Sequence, residues 1–136
     1  MKPSEAVHEF HTKFGIKKAT LKSKKSMEFR MRLIHEEFNE VIDAAGFAVI
    51  QANGNALFIP KIKECDPEHL LKELADLAYV IYGTAEALGW DLDEAVKRIH
   101  ASNMSKLDEN GKPIYRDDGK VLKSNLYKEP YLGDLV

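Results

Sequence analysis

The chain has 136 residues, 44% hydrophobic and 31% charged, a balance that fits one soluble globular domain and leaves little room for a second. Twenty basic against twenty-two acidic residues leave a formal charge of -2, so no overall field draws the protein toward nucleic acid or an anionic membrane. No apolar run approaches the roughly 20 residues of a spanning helix. Residues 1–14 lack the apolar stretch of a signal peptide, and the lone Cys65 excludes an intrachain disulfide or a multi-cysteine zinc site. The expected compartment is the cytoplasm.

The first predicted element runs from Ser4 to Phe14, with Ser4 at the N-cap, Val7, Phe10 and Phe14 on one helical stripe and Gly15 as the stop. Lys17, Lys18, Lys22, Lys24 and Lys25 follow as a solvated basic connector, with attraction of phosphate as the alternative. A second helix is expected from after Ser26 to about Ala45, its stripe formed by Met31, Ile34, Phe38, Val41, Ile42 and Ala45. It stops at Gly46, or extends through Phe47–Ile50 to the turn Asn53-Gly54-Asn55. Asp66-Pro67-Glu68 combines an N-cap, a proline at the first helical position and an acid at the positive dipole end. The third helix thus carries the stripe Leu70, Leu74, Leu77, Ile81 and Leu88 to Gly89, and Asp91 and Glu94 box the start of a fourth, reaching about Asn103. Turn signals around Ile114-Tyr115-Arg116 and Val121-Leu122 predict a short hairpin, and the aromatic and leucine content of the tail predicts that it is ordered. The expectation is an all-α, four-helix-type bundle over residues 4–104 with an irregular tail over 105–136, gaining further burial as a homo-oligomer.

Two acid-x-x-acid pairs stand out, Glu37 with Glu40 on the second helix and Glu73 with Asp76 on the third. Residues three apart lie about 60° apart around a helix and one turn apart along it, so both carboxylates reach one ion. Twenty-two acids in such a chain give roughly three or four such pairs by chance, so position is what singles these out. Glu37 and Glu73 sit at the rims of the apolar stripes, and Glu36, Glu37 and Glu40 have no lysine four residues on. Uncompensated acids on facing helices repel unless a cation neutralises them, and hard cations take oxygen ligands from such acids. The competing reading is a merely solvated acidic face.

At these residues the chain resembles the MazG-like all-α nucleoside triphosphate pyrophosphohydrolases, including the branch related to phosphoribosyl-ATP pyrophosphohydrolases and phage-encoded versions. Their Glu-Glu-x-x-Glu and Glu-x-x-Asp signatures read here Glu36-Glu37-Phe38-Asn39-Glu40 and Glu73-Leu74-Ala75-Asp76. The similarity extends to Val7–His11, to Leu88–Ala95 and to His100-Ala101-Ser102-Asn103-Met104-Ser105-Lys106. The resemblance implies a homodimer or homotetramer, dependence on Mg²⁺ with Mn²⁺ as a substitute, and hydrolysis between the α and β phosphates. It gives Glu37, Glu40, Glu73 and Asp76 the metal role and Glu36 that of orienting or deprotonating the attacking water. Asn103 and Lys106 fall where the family contacts nucleotide, and Lys120, Lys123 and Tyr127 are the tail's contributions to substrate binding. The tail departs from the pattern, since Lys123-Ser124-Asn125-Leu126-Tyr127 replaces Lys-Gly-Pro-Asn-Tyr.

A triphosphate carries about four negative charges, so an acidic site binds it only through intervening cations. The substrate is expected to be an NTP or dNTP, with a purine dNTP such as dGTP in first place; the alternatives are phosphoribosyl-ATP, dUTP, or a non-enzymatic helical interaction module. The five histidines are assigned surface or capping roles, and no serine or cysteine shows the surroundings of an activated nucleophile.

Overall fold

The computed structural model describes residues 1–136, whose contacts group them into two compact units, Met1–Leu88 and Gly89–Val136. In the first, α1 (Pro3–Lys13) begins two residues earlier than Ser4 capping predicts, because Pro3 takes the first helical position. The Lys2 amide donates to Glu5 Oε2 at 2.8 Å. At its far end Ile16 N–H donates to His11 O at 2.9 Å, closing the helix around Gly15 as expected. The basic connector is shorter than predicted, since Ser23 caps α2 (Lys24–Ala44) and accepts from Ser26 N–H at 3.2 Å, so Lys24 and Lys25 are helical.

At Gly46, with φ +88°, the chain leaves the helix, and the apolar run beyond it is neither a helical extension nor a loop. It forms β1 (Phe47–Ala52), antiparallel to β2 (Asn55–Pro60), with Val49 opposite Phe58 and Ile50 opposite Leu57. Asn53 and Gly54, at φ 52° and 77°, make the two-residue turn that matches strand twist. β-branched and aromatic residues on a two-residue Asn-Gly turn were the signal for this hairpin. The protein is thus mainly helical, with a hairpin inserted between α2 and α3 (Pro67–Leu88).

α3 starts where Asp66-Pro67 predicts, with Asp66 Oδ1 accepting from Glu68 N–H at 3.0 Å and His69 N–H at 3.3 Å. It packs against both α1 and α2. The buried positions are Val7 on α1, Arg30 and Ala44 on α2, and Glu73, Gly83, Ala85 and Ala87 on α3. The predicted stripes close the unit only in part, with Ile34, Val41, Ile42, Ala45, Leu70, Leu77 and Leu88 half-buried. Met31, Phe38, Leu74 and Ile81 are 46%, 47%, 46% and 39% exposed, and the fully buried positions of α2 and α3 are small or polar.

In the second unit α4 (Leu92–Met104) is capped by Asp91, which accepts from Glu94 N–H at 2.9 Å. The tail carries the expected hairpin, β3 (Ile114–Tyr115) with β4 (Val121–Leu122). It is tied to α4 by Ser102 Oγ donating to Lys128 O at 2.7 Å and by Arg98 donating to both carboxylate oxygens of Asp134 at 2.5 and 3.0 Å. No helix is long and apolar enough to cross a membrane.

Candidate active site

The two acid pairs meet across the α2–α3 seam. One carboxylate oxygen from each of Glu37, Glu73 and Asp76 lies within 4.8 Å of the others. Glu73 is 3% exposed. Both Glu37 Oε2 and Glu73 Oε2 are buried with no hydrogen-bond partner, an arrangement that costs roughly 1–3 kcal/mol per group, more when charged. Hard oxygen donors, converging and unsatisfied, fit a divalent cation. Glu40 stands beside the trio. A hydrogen bond with Glu73, then the charge of Glu37, hold its carboxyl above the usual glutamate value.

Sequence reasoning missed the partners on α3. Lys72 Nζ lies 3.1 Å from Glu73 Oε1 and 2.7 Å from Asp76 Oδ2, and these hydrogen bonds, Asp76 first, raise its basicity above the ordinary lysine value. The acids are therefore not uncompensated, and the Lys72–Asp76 spacing of four was the visible signal. His69 Nδ1 is 3.5 Å from Glu73 Oε1 and His8 Nδ1 is 2.8 Å from Glu86 Oε1, so two of the histidines assigned surface or capping roles pair with acids. Asn39, Glu40, Asp43, His69, Lys72 and Glu73 line an open cleft of about 460 Å³ at the cluster.

Glu36 is exposed on α2 beside Glu37 and is not among the gathered carboxylates. The remaining predicted residues belong to the second unit. Asn103 is in the last turn of α4, its carbonyl accepting from Lys106 N–H at 3.1 Å. Lys120 sits in the β3–β4 turn, with its amide donating to Asp118 Oδ1 at 3.2 Å. Only Lys123 and Tyr127 are brought together, the ammonium 4.5 Å above the ring.

The profile of the phosphoribosyl-ATP pyrophosphohydrolase family matches residues 7–103, which hold α2, α3 and the acid cluster whole and most of α1 and α4. The chain belongs to that family. It is accordingly a nucleotide pyrophosphohydrolase, whose matched region ends at Asn103 and leaves Lys106, Lys120, Lys123 and Tyr127 beyond it. No curated protein matches the chain.

Proposed function

We propose that this protein hydrolyses a nucleoside triphosphate to the monophosphate and pyrophosphate with the help of Mg²⁺, for which Mn²⁺ substitutes. The observation that carries the reading is the trio Glu37, Glu73 and Asp76, converging within 4.8 Å with two buried carboxylate oxygens left without partners. These three residues would hold the ion, with Glu40 beside them. When bound, the ion supplies charge neutralisation of the phosphates and lowers the pKa of a bound water.

The chain's own residues supply the rest. Glu36, next to the trio and open to solvent, orients the attacking water and takes its proton as the oxygen closes on the α-phosphorus. Lys72, beside Glu73 and Asp76, would supply positive charge to the leaving pyrophosphate. Asn103, Lys106, Lys120, Lys123 and Tyr127 contact the nucleotide. Large apolar side chains left open on α2 and α3, Met31, Phe38, Leu74 and Ile81 among them, support assembly into a homodimer or homotetramer.

No residue of the cluster reads a base, so a panel decides the substrate: the common NTPs and dNTPs, dGTP and dUTP among them, and phosphoribosyl-ATP, which the family match favours as the competing reading. The test is product analysis in H₂¹⁸O. Monophosphate carrying the label, with unlabelled pyrophosphate, is expected. Orthophosphate as the first product would overturn the reading, and label in pyrophosphate would move the attack to the β-phosphorus.

A further inference from the structure

A second polar feature lies at the opposite end of the same seam. Arg30 is 5% exposed, and its Nε donates to Thr84 Oγ1 at a long 3.4 Å, with its guanidinium carbon 5.8 Å from the Phe29 ring centre. No carboxylate is paired with it, and burial alone sets its basicity, below the usual arginine value. A buried cation without an anion is costly.

The surroundings are hollow and basic. Arg30 lines a cavity of about 510 Å³ together with Ile16, Phe29, Lys17 and Lys25, within the range of small-molecule pockets. It also lines an adjoining hollow of about 120 Å³ that contains His11 and Gly83. Gly83 makes the room, since a Cβ there would stand 2.6 Å from Arg30 Nη2 and 3.2 Å from His11 Nε2. Lys18 is tied to Glu86 at 3.4 Å, whereas Lys17 and Lys25 are exposed and carry no ion pair. Ser23 and Ser26 bring the N-terminus of α2 to the same cavity, adding the positive end of a 21-residue helix.

We propose that this cavity binds a sugar phosphate, the phosphate accepting from the Arg30 guanidinium and flanked by Lys17 and Lys25, the sugar lying on Ile16 and Phe29. The guanidinium offers the planar fork that a phosphate accepts in two bonds, and the apolar floor distinguishes a carried phosphate from the free ion. Two sources supply this chemistry. One is the far end of a substrate whose triphosphate is held at Glu37, seven residues or about 10.5 Å further along α2. The other is a separate nucleotide. The site itself stands independently of the proposed function, because its residues are not those of the acid cluster.

The test is a titration of ribose 5-phosphate and, separately, of inorganic phosphate into the full chain in EDTA, followed by amide NMR shifts. Without divalent ions the acid cluster repels both probes. Saturable shifts centred on Ile16, Phe29 and Arg30 are expected, with ribose 5-phosphate the tighter probe. Arg30→Gln should weaken it about tenfold or more. Should that variant fail to fold, the exposed pair Lys17→Gln with Lys25→Gln tests the same site and should weaken binding several-fold. Glu73→Gln should leave it unchanged, which separates failure of this site from failure of the acid cluster. No saturable binding, binding indifferent to these basic-residue changes, or inorganic phosphate binding as tightly as ribose 5-phosphate would overturn the proposal. The sources then separate by kinetics: an Arg30→Gln rise in KM for phosphoribosyl-ATP but not for ATP marks the substrate's far end, and no change in either marks a separate nucleotide.

Discussion

Replacing Glu73 by glutamine should make the metal-free protein more stable and the metal-loaded protein less so. Two like charges 4.8 Å apart repel by about 3.5 kcal/mol at an effective dielectric of 20, and Glu73 faces two such neighbours, Glu37 and Asp76. Its attraction to Lys72 opposes this but is screened, because the lysine side chain is 63% exposed. Glutamine also brings an N–H donor to the unpartnered Glu37 Oε2. After reorganisation the net gain should be on the order of 1–3 kcal/mol, a rise of several degrees in Tm for a chain of this length. Wild-type protein should gain about 2.7 kcal/mol from Mg²⁺ at a hundred times its dissociation constant, and the variant little of it. Calorimetry in EDTA and in saturating Mg²⁺ should therefore show the two melting curves exchanging order. A variant no more stable in EDTA, with the wild-type response to Mg²⁺, would refute the reasoning.

The His11 side chain is held below the ordinary histidine value by burial first and by Arg30 second, with Lys18 and His8 acting in the same direction and Glu86 against them. A depressed histidine contributes stability that is present above the unfolded value of 6.5 and is lost as pH falls through the folded one. Urea unfolding between about pH 7 and 5 should show this loss, with a flatter profile in His11→Gln. Phe38→Asp or Leu74→Asp, at half-exposed positions, should convert the proposed oligomer to monomer in light scattering on the order of tens of micromolar without loss of helical circular dichroism. Asp66→Ala removes the acceptor for the Glu68 and His69 amides and should cost about 1 kcal/mol, measured as a lower urea midpoint with an unchanged slope.

Helix ends were the most legible part of the fold because their chemistry is local. Asp66-Pro67, Asp91 with Glu94, and Gly15 each act on backbone groups within a few residues, so no tertiary information is needed to see them. Ser4 and Ser26 misled for the same local reason: each competes with a better neighbour, Pro3 at the first helical position and Ser23 at the N-cap. The β1–β2 hairpin was missed because Phe47–Ile50 is a short apolar run whose periodicity suits either a helical turn or a strand, and the Asn53-Gly54 turn that decides between them was read only as a stop. The acid pairs were visible by spacing and gathered by the fold. The side of each helix that would close was not visible, since a stripe of large residues marks an apolar face without saying what covers it.

That last point has a physical consequence for the whole seam. Arg30 faces Thr84, whereas Glu37 and Glu40 face Glu73 and Asp76, so α2 and α3 run antiparallel and their contact is divided by charge. The half made by the start of α2 and the end of α3 is basic, and small residues there, Gly83 and Ala87 among them, leave space beside the arginine. The other half is acidic and closes on carboxylates. Arg30 and Glu37, seven residues apart, share one face of α2 and lie two turns apart, too far for an ion pair. Arg30 is thus left without an anion inside the chain, and Glu37 Oε2 and Glu73 Oε2 stay without partners although Lys72 pairs with Glu73 and Asp76, so each end calls for a ligand of the other sign: a cation among the acids, an anion at the arginine. A large apolar stripe filling this seam would satisfy neither end; Met31, Phe38, Leu74 and Ile81 instead stay open to solvent, where a second copy of the chain is expected to cover them.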